Sequence, residues 1–579
     1  MAMKNITLQI PEDNKDLFLE PAIDCIPDLL NININRIQNY KFEINGIPFK
    51  VLREKTREEL LHNAVRYTNA VKSLIRNQPE SCLCVSNSTR KGPTSQAFQD
   101  KLYINERALD RESIKNIPII QTGHEPIFYY PGVWIKNHLI QHLARKLGGI
   151  GINMIVDNDT CNRGFIYIPA LSEKPASIRK VALIKNKDNV AYEEIALDDI
   201  GMLLQFKDEV ISFLRKNVLN ENVKTAVGYM QDTFEEFINR IMEYHRRGCV
   251  GMVGLLTSAR SELEEDFSIA NLEVPVSWMC DTDGFYHFFL HILYNADRFL
   301  KIYNKKLAEY RSVHKIRSKA NPLLELKIIG RFVELPFWVW SKGGQRNKCY
   351  IQDDGELIKI TNREDVLCTL KKGEEIGENI SRLKKSLEAR FKIRPRAITT
   401  TMFSRLFFSD LFIHGIGGAK YDKITDEIIK EFFGIDPPAF VTISTNVFLP
   451  LERFDLEAGA LQVLQHDLKD MRYNPERYAS GKVQNDTKFI SMVKEKQRLI
   501  AEMAVCDKDE KKRCFDQIKE LNKLMLTKVE GEFQKKQSEI STIHDNLAYN
   551  EVVKFREYPI CIYPMRVMKD YFLNVFCGV

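Results

Sequence analysis

The stretch Ile117–Thr160, IPIIQTGHEPIFYYPGVWIKNHLIQHLARKLGGIGINMIVDNDT, decides the fold. Ile117–Gln121 is a short apolar run, and TGHEP follows as a turn. Val133, Ile135, Leu139, Ile140, Leu143 and Leu147 then recur at helical spacing, and the stripe stops at Gly148-Gly149. Gly151–Thr160 is a second apolar strand that ends in acidic residues. A strand–turn–helix–strand unit of about 40 residues is what a parallel βαβ crossover requires.

The same pattern returns later. TTTMFSRLFFSDLFIHG (Thr399–Gly415) leads into GIGGAKYDKITDEIIKEFFG and then into AFVTISTNVFLP (Ala439–Pro450). Between the two, Ala191–Asp297 reads as mostly helical, with Val250–Arg260 and Val274–Cys280 as strand or strand-end segments. Glu325–Gln352 reads as inserted antiparallel β with a Gly343-Gly344 turn. The expected architecture is an α/β, Rossmann-like parallel-sheet core over residues 111–485, with α and β insertions over residues 191–398. Residues 1–110 read as an accessory region. It holds a hairpin in Lys41–Arg53 turning at Asn45-Gly46, a helix Thr56–Ile75 opened by a Thr56/Glu59 capping box, and a surface loop Pro79–Gln96.

Asp486–Asn550 is rich in Lys, Glu and Gln. Phe489, Val493, Ile500 and Met503 precede a polar break (Cys506–Arg513), and Cys514, Ile518, Leu521 and Met525 follow it at near-heptad spacing. That predicts an antiparallel coiled-coil hairpin. Residues 551–579 are apolar and aromatic and are expected to return to the core.

Composition narrows the function classes. The chain has 579 residues, enough for about four domain-sized units or one large domain with insertions. With 44% hydrophobic and 28% charged residues, it is neither disordered nor fibrous. No apolar run reaches the ~18 residues of a membrane span. The N-terminal MAMKNITLQIPEDN has no apolar signal region, which points to a cytoplasmic protein. Of twelve cysteines only Cys82 and Cys84 are close, so reduced thiols and no metal site are expected. The net charge of +6 is too weak over this length to argue for nucleic acid.

Two turns carry the candidate chemistry. In the first, Thr122, Gly123 and His124 follow a core strand and precede a helix that contains Asn137. Ligands of open α/β sheets bind at such strand ends, and a helix N-terminus there attracts anions. In the second, His414 is followed by Gly415, Gly417 and Gly418, then by Lys420, Tyr421 and Asp422. Glycines let backbone N–H groups approach a ligand, and Lys420 adds a point charge. Asp157 and Asp159 end the second strand and suit ribose or an amine, or a metal with substrate phosphates, or are simply solvated turn residues. Trp278 either stacks on a base or packs the core. Glu334, Trp338 and Trp340 alternate on one strand face, with Arg346 after the turn, as a pocket rim or a packed aromatic face.

The strand–TGHEP–helix unit, the acidic strand end, the FIHGIGGAKYD loop and the late helical hairpin occur in that order. The order resembles the bacillithiol-biosynthesis cysteine ligase family. His124 and Glu125 stand where that family commonly has Gln and small residues, and Ala419-Lys420 stands where an acidic residue is expected. The resemblance implies a fold related to nucleotidyl-transferring and class I synthetase folds, a dimerising coiled coil, and a small-molecule substrate. The implied reaction joins cysteine to the amine of a sugar-type metabolite, with a nucleotide (ATP or ADP) as the cofactor. Matched by position, His124 falls in the first turn and His414, Gly415, Gly417 and Gly418 in the second. His124, His414 and Lys420 are the expected catalytic residues. The alternatives are a nucleotidyltransferase of similar fold and a scaffold protein that has lost the chemistry.

Overall fold

The computed structural model describes residues 9–77, 111–184, 189–217, 219–318, 322–457 and 459–576. The loop expected at Pro79–Gln96, with Cys82 and Cys84, lies outside the described residues.

The first crossover forms the centre of the molecule. The strand Ile119–His124, the helix Pro131–Leu147 and the strand Ile150–Ile155 follow in order, and the strands pair in parallel. The helix ends where Gly148 takes φ of 63°, a left-handed conformation that a side chain disfavours. A second crossover joins Leu411–His414 through the helix Ile416–Phe433 to Phe440–Thr445.

Across the sheet the order is Leu17–Glu20, Phe440–Thr445, Leu411–His414, Ile119–His124, Ile150–Ile155, Leu272–Pro275. The last five strands are parallel, and Leu17–Glu20 closes one edge antiparallel to Phe440–Thr445. From Ile119–His124 the chain winds first to one side and later to the other. The winding therefore reverses between Ile119–His124 and Leu411–His414.

Several expectations need correction. Leu17–Glu20 belongs to the core sheet, although residues 1–110 read as accessory. The helix expected from Thr56 starts at Phe49, behind Pro48. Thr56 therefore lies inside the helix, where its hydroxyl donates to the Leu52 carbonyl (2.6 Å), and Glu59 accepts the Asp283 N–H (2.9 Å). No capping box forms. Arg53 and Arg57 of this helix meet Asp410 at 2.7 and 3.0 Å, just before a central strand. The expected insertion over 191–398 is interrupted by the core strand Leu272–Pro275. Val250–Arg260 forms most of a helix, Met252–Glu265, instead of a strand.

The inserted β region is a separate antiparallel sheet in the order Val366–Lys371, Leu357–Thr361, Asn347–Asp353, Phe332–Ser341, Phe391–Pro395. It meets the loop after Ile150–Ile155, where the Asn158 side chain donates to the Pro395 carbonyl at 2.7 Å. Near the C-terminus, Thr487–Met503 and Lys508–Lys528 turn back on each other at the polar break. Two more helices join them, since Glu530–Lys554 packs on Ala460–Tyr473. Met471, Phe489, Met525 and Val529 form their shared core. The inward residue is Leu499, 2% exposed, while Ile500 is 51% exposed. Lys496 occupies the preceding inward position, with its ammonium on Glu476 (2.8 Å), and that register turns Leu499 inward. Tyr558, Ile562 and Tyr563 are buried in the core cluster that also holds Trp134. Among the described residues no helix is long and apolar enough to cross a membrane.

Candidate functional site

The reversal of winding brings the two expected turns together. Ile413 lies opposite Thr122, so His414 and His124 end neighbouring strands, which run about 4.8 Å apart. The helices Pro131–Leu147 and Ile416–Phe433 begin just beyond, and no side chain caps the first N–H groups of either. The Ile416–Phe433 helix thus keeps free donors and positive dipole at this end of the sheet, while the other helix opens with Pro131, which has no N–H, and gives the Val133 N–H to the Tyr130 carbonyl (2.9 Å).

Between the two histidines stands a residue that the sequence reading passed over. Lys136 is 3% exposed, and its ammonium donates to the Gly123 carbonyl at 2.7 Å. Burial alone brings it down to about 7. The protein around His124 pushes its imidazole down to about 3, and the nearby Lys136 charge adds to that effect. Burial likewise lowers His414; Asp422 opposes that shift, and the Arg405 and Lys136 charges add to it. Both imidazoles are therefore neutral near pH 7, and Lys136 lies within electrostatic reach of each. The signal was in the sequence: Lys136 follows Val133 by three residues and precedes Ile140 by four, on the apolar stripe of its helix.

Glu125, next to His124, accepts a hydrogen bond from the Tyr192 hydroxyl at 3.2 Å. Burial, with Asp159 alongside, holds its carboxyl well above the usual range, and Arg163 and Arg346 oppose that shift. Asp159 pairs with Arg346 at 3.0 Å. Asp157 is buried and accepts the Ser277 N–H at 3.0 Å. Burial, then the Glu193 charge, pushes Asp157 up to about 7. The inserted sheet faces this end with Trp338, whose ring centroid lies 4.4 Å from the Arg346 guanidinium carbon and 4.3 Å from that of Arg396. Trp340 does not rim a pocket; its indole N–H donates to Glu194 at 2.9 Å.

The other expected residues have structural partners or lie apart. His414 Nε2 meets Asp422 Oδ2 at 2.7 Å, and Asp422 also meets Arg405 at 2.7 Å. A side chain on Gly418 would come within 2.7 Å of His414 Nδ1, so this glycine makes room for the imidazole. At Gly415 and Gly417 a Cβ would meet nothing within 4 Å. Thr122 ties the two central strands, its hydroxyl donating to the Ile413 carbonyl at 2.8 Å. Asn137 faces away from the site and, with Trp134, donates to Glu264 (2.7 and 2.9 Å). Trp278 packs edge-on against Tyr67 at 5.4 Å, with Arg66 over its ring. Lys420 and Tyr421 are exposed, and among the described residues Lys420 has no ion pair. Among the described residues no group of three or more His, Cys, Asp or Glu could hold a metal ion.

No protein-family model matches the chain, and no curated protein matches it. What remains is the geometry: two neutral histidines, a buried lysine and a protonatable carboxyl where the sheet reverses its winding.

Proposed function

We propose that the chain is a ligase-like enzyme with a Rossmann-like core, binding its small-molecule substrate between the turns of His124 and His414. The reversal of winding at these two strand ends is the observation that carries this reading, since open α/β sheets bind ligands there. The reaction would join an amino acid such as cysteine to the amine of a small sugar-type metabolite, as the resemblance implies. A nucleotide would supply carboxyl activation, and the uncapped N-terminus at Ile416 suits its phosphates.

The chain's own groups have definite tasks in this reading. Neutral His124 hydrogen-bonds the substrate without adding charge. The attacking amine must shed a proton, and Glu125, whose carboxyl holds protons above the usual range, is placed to take it. Arg346 and Arg396, both flanking Trp338 on the facing wall, are held by Asp159 and Glu334. The helices at residues 460–554 would join two copies, because Ile500, Phe515 and Leu524 stand 51%, 55% and 56% exposed on them.

Mass spectrometry of small molecules that co-purify with the protein tests the reading. A bound nucleotide, amino acid or amino sugar supports it. Turnover of a nucleoside triphosphate to pyrophosphate without an amide product would favour a nucleotidyltransferase. No turnover with any amine acceptor would favour the scaffold alternative.

A further inference from the structure

Buried positive charge is handled consistently across this molecule. Arg53 and Arg57 meet Asp410, and Arg260 meets Glu264 and Glu273. Arg394 and Lys392 meet Glu193, Arg405 meets Asp422, Arg346 meets Asp159 and Lys496 meets Glu476. Such pairing is the usual condition for keeping an ion out of water. Among the described residues, Lys136 is the one buried Lys or Arg with no carboxylate beside it. Its ammonium has three donors and spends one, on the Gly123 carbonyl.

The place of this unpaired cation matters as much as its isolation. Gly123 is the last residue but one of the central strand, and the lysine's neighbours there are the imidazoles of His124 and His414, both of which burial keeps neutral. The uncapped N-terminus of the Ile416–Phe433 helix follows His414 directly. The carboxylate bonded to His414, Asp422, is shared with Arg405, and none bonds to the Lys136 ammonium itself among the described residues. A lysine buried without a counter-ion is costly, and among the described residues no carboxylate supplies one.

The geometry points to Lys136 as the seat of a ligand oxyanion, a phosphate or a carboxylate that completes the ion pair the protein leaves open. This inference rests on the proposed site between His124 and His414 and names the chemistry of what binds there. Lys136 would touch the ligand directly. Its two free donors and the free N–H groups of the Ile416–Phe433 helix would share the oxygens. Burial brings the unliganded lysine down to about 7, so the arriving anion would also restore its full charge.

The test uses the full-length protein, the variant Lys136→Met, and thermal unfolding at fixed ionic strength. One arm adds inorganic phosphate and the other malonate. A ligand that binds only the folded state raises the midpoint. Phosphate also stabilises folded proteins by exclusion from their surface, and the variant carries that share equally, so the readout is the difference between the two proteins. The expected result is a midpoint rise of several degrees in wild type beyond that in Lys136→Met. A response to phosphate alone assigns a phosphate, and a response to malonate alone assigns a carboxylate. Equal responses in the two proteins, or none to either anion, overturn the seat. If Lys136→Met does not fold, Lys136→Gln is measured in its place. Failure of both to fold also overturns the inference, because it makes the lysine a structural donor to Gly123. Calorimetry with ATP and cysteine on wild type separates the two levels. Binding there with no anion response at Lys136 leaves the site and removes only the seat.

Discussion

The Nε2 of His414 lies 2.7 Å from Oδ2 of Asp422, and both side chains are buried. The residues are eight apart, one at the end of a central strand and the other in the first turns of the helix that follows. Their bond folds that helix start back onto the strand end and holds the imidazole at the site. His414 is thus anchored from inside the protein, and Asp422 acts through it instead of touching a ligand.

Asp422→Asn should be strongly destabilising. It removes the fully buried one of the two carboxylates that Arg405 meets, leaving Asp426, and breaking such a pair costs about 3–5 kcal/mol. Burial pushes the Asp422 carboxyl up, but Arg405 and His414 outweigh it and hold it well below the usual range. A depressed carboxyl contributes stability above its unfolded value, about 3.9, and loses it as pH falls through the folded value. Urea denaturation should therefore show the full deficit at pH 7 and a shrinking deficit as pH drops below about 4.

Two neighbouring glycines should behave oppositely. At Gly418 an added methyl would stand 2.7 Å from His414 Nδ1, so Gly418→Ala should cost about 1–3 kcal/mol or displace the imidazole. At Gly417 it would meet nothing, and Gly417→Ala should stabilise the helix by up to about 1 kcal/mol. Paired denaturation curves check the sign of each.

Asp157 gives a pH signature of the opposite sense to Asp422. Its carboxyl is raised to about 7 by burial, then by Glu193. A raised carboxyl contributes stability below its unfolded value and loses it as pH rises through the folded value. Asp157→Asn keeps an oxygen for the Ser277 N–H and has no proton to lose. The variant should gain on wild type between pH 5 and 7 and hold that gain at pH 8, read as a growing difference in Tm. A difference independent of pH would show that Asp157 ionises normally.

On the C-terminal helices, Leu499→Glu should unfold the local core, while Ile500→Glu should leave the fold intact. If these helices join two copies, Ile500→Glu with Leu524→Glu should convert a dimer into a folded monomer. Sedimentation at micromolar concentration measures this. A monomeric wild type would remove the dimer from the account.

Both crossovers were legible because their helices carry long apolar stripes and end at glycines, as at Leu147-Gly148. The strands Leu17–Glu20 and Leu272–Pro275 were not read as core, because four residues are too few to show a period. The two histidine turns were read from their place at strand ends. The lysine between them was missed, since a charged residue on a helix is assumed to face water. Asn137 and Trp278 could not be assigned from sequence, because helix rotation decides whether such a side chain meets Glu264 or Tyr67 or a ligand. Leu499 and Ile500 are adjacent apolar residues, and only the burial of Lys496 fixes which one turns inward.

The central claim is that a ligand binds between the turns of His124 and His414. Calorimetric titration of ATP and of cysteine into wild type and His124→Ala tests it most directly. The account predicts that wild type binds at least one of them and that the variant binds it about tenfold more weakly, the loss of roughly 1.4 kcal/mol expected for one buried hydrogen bond. Equal affinities in the two proteins would contradict it.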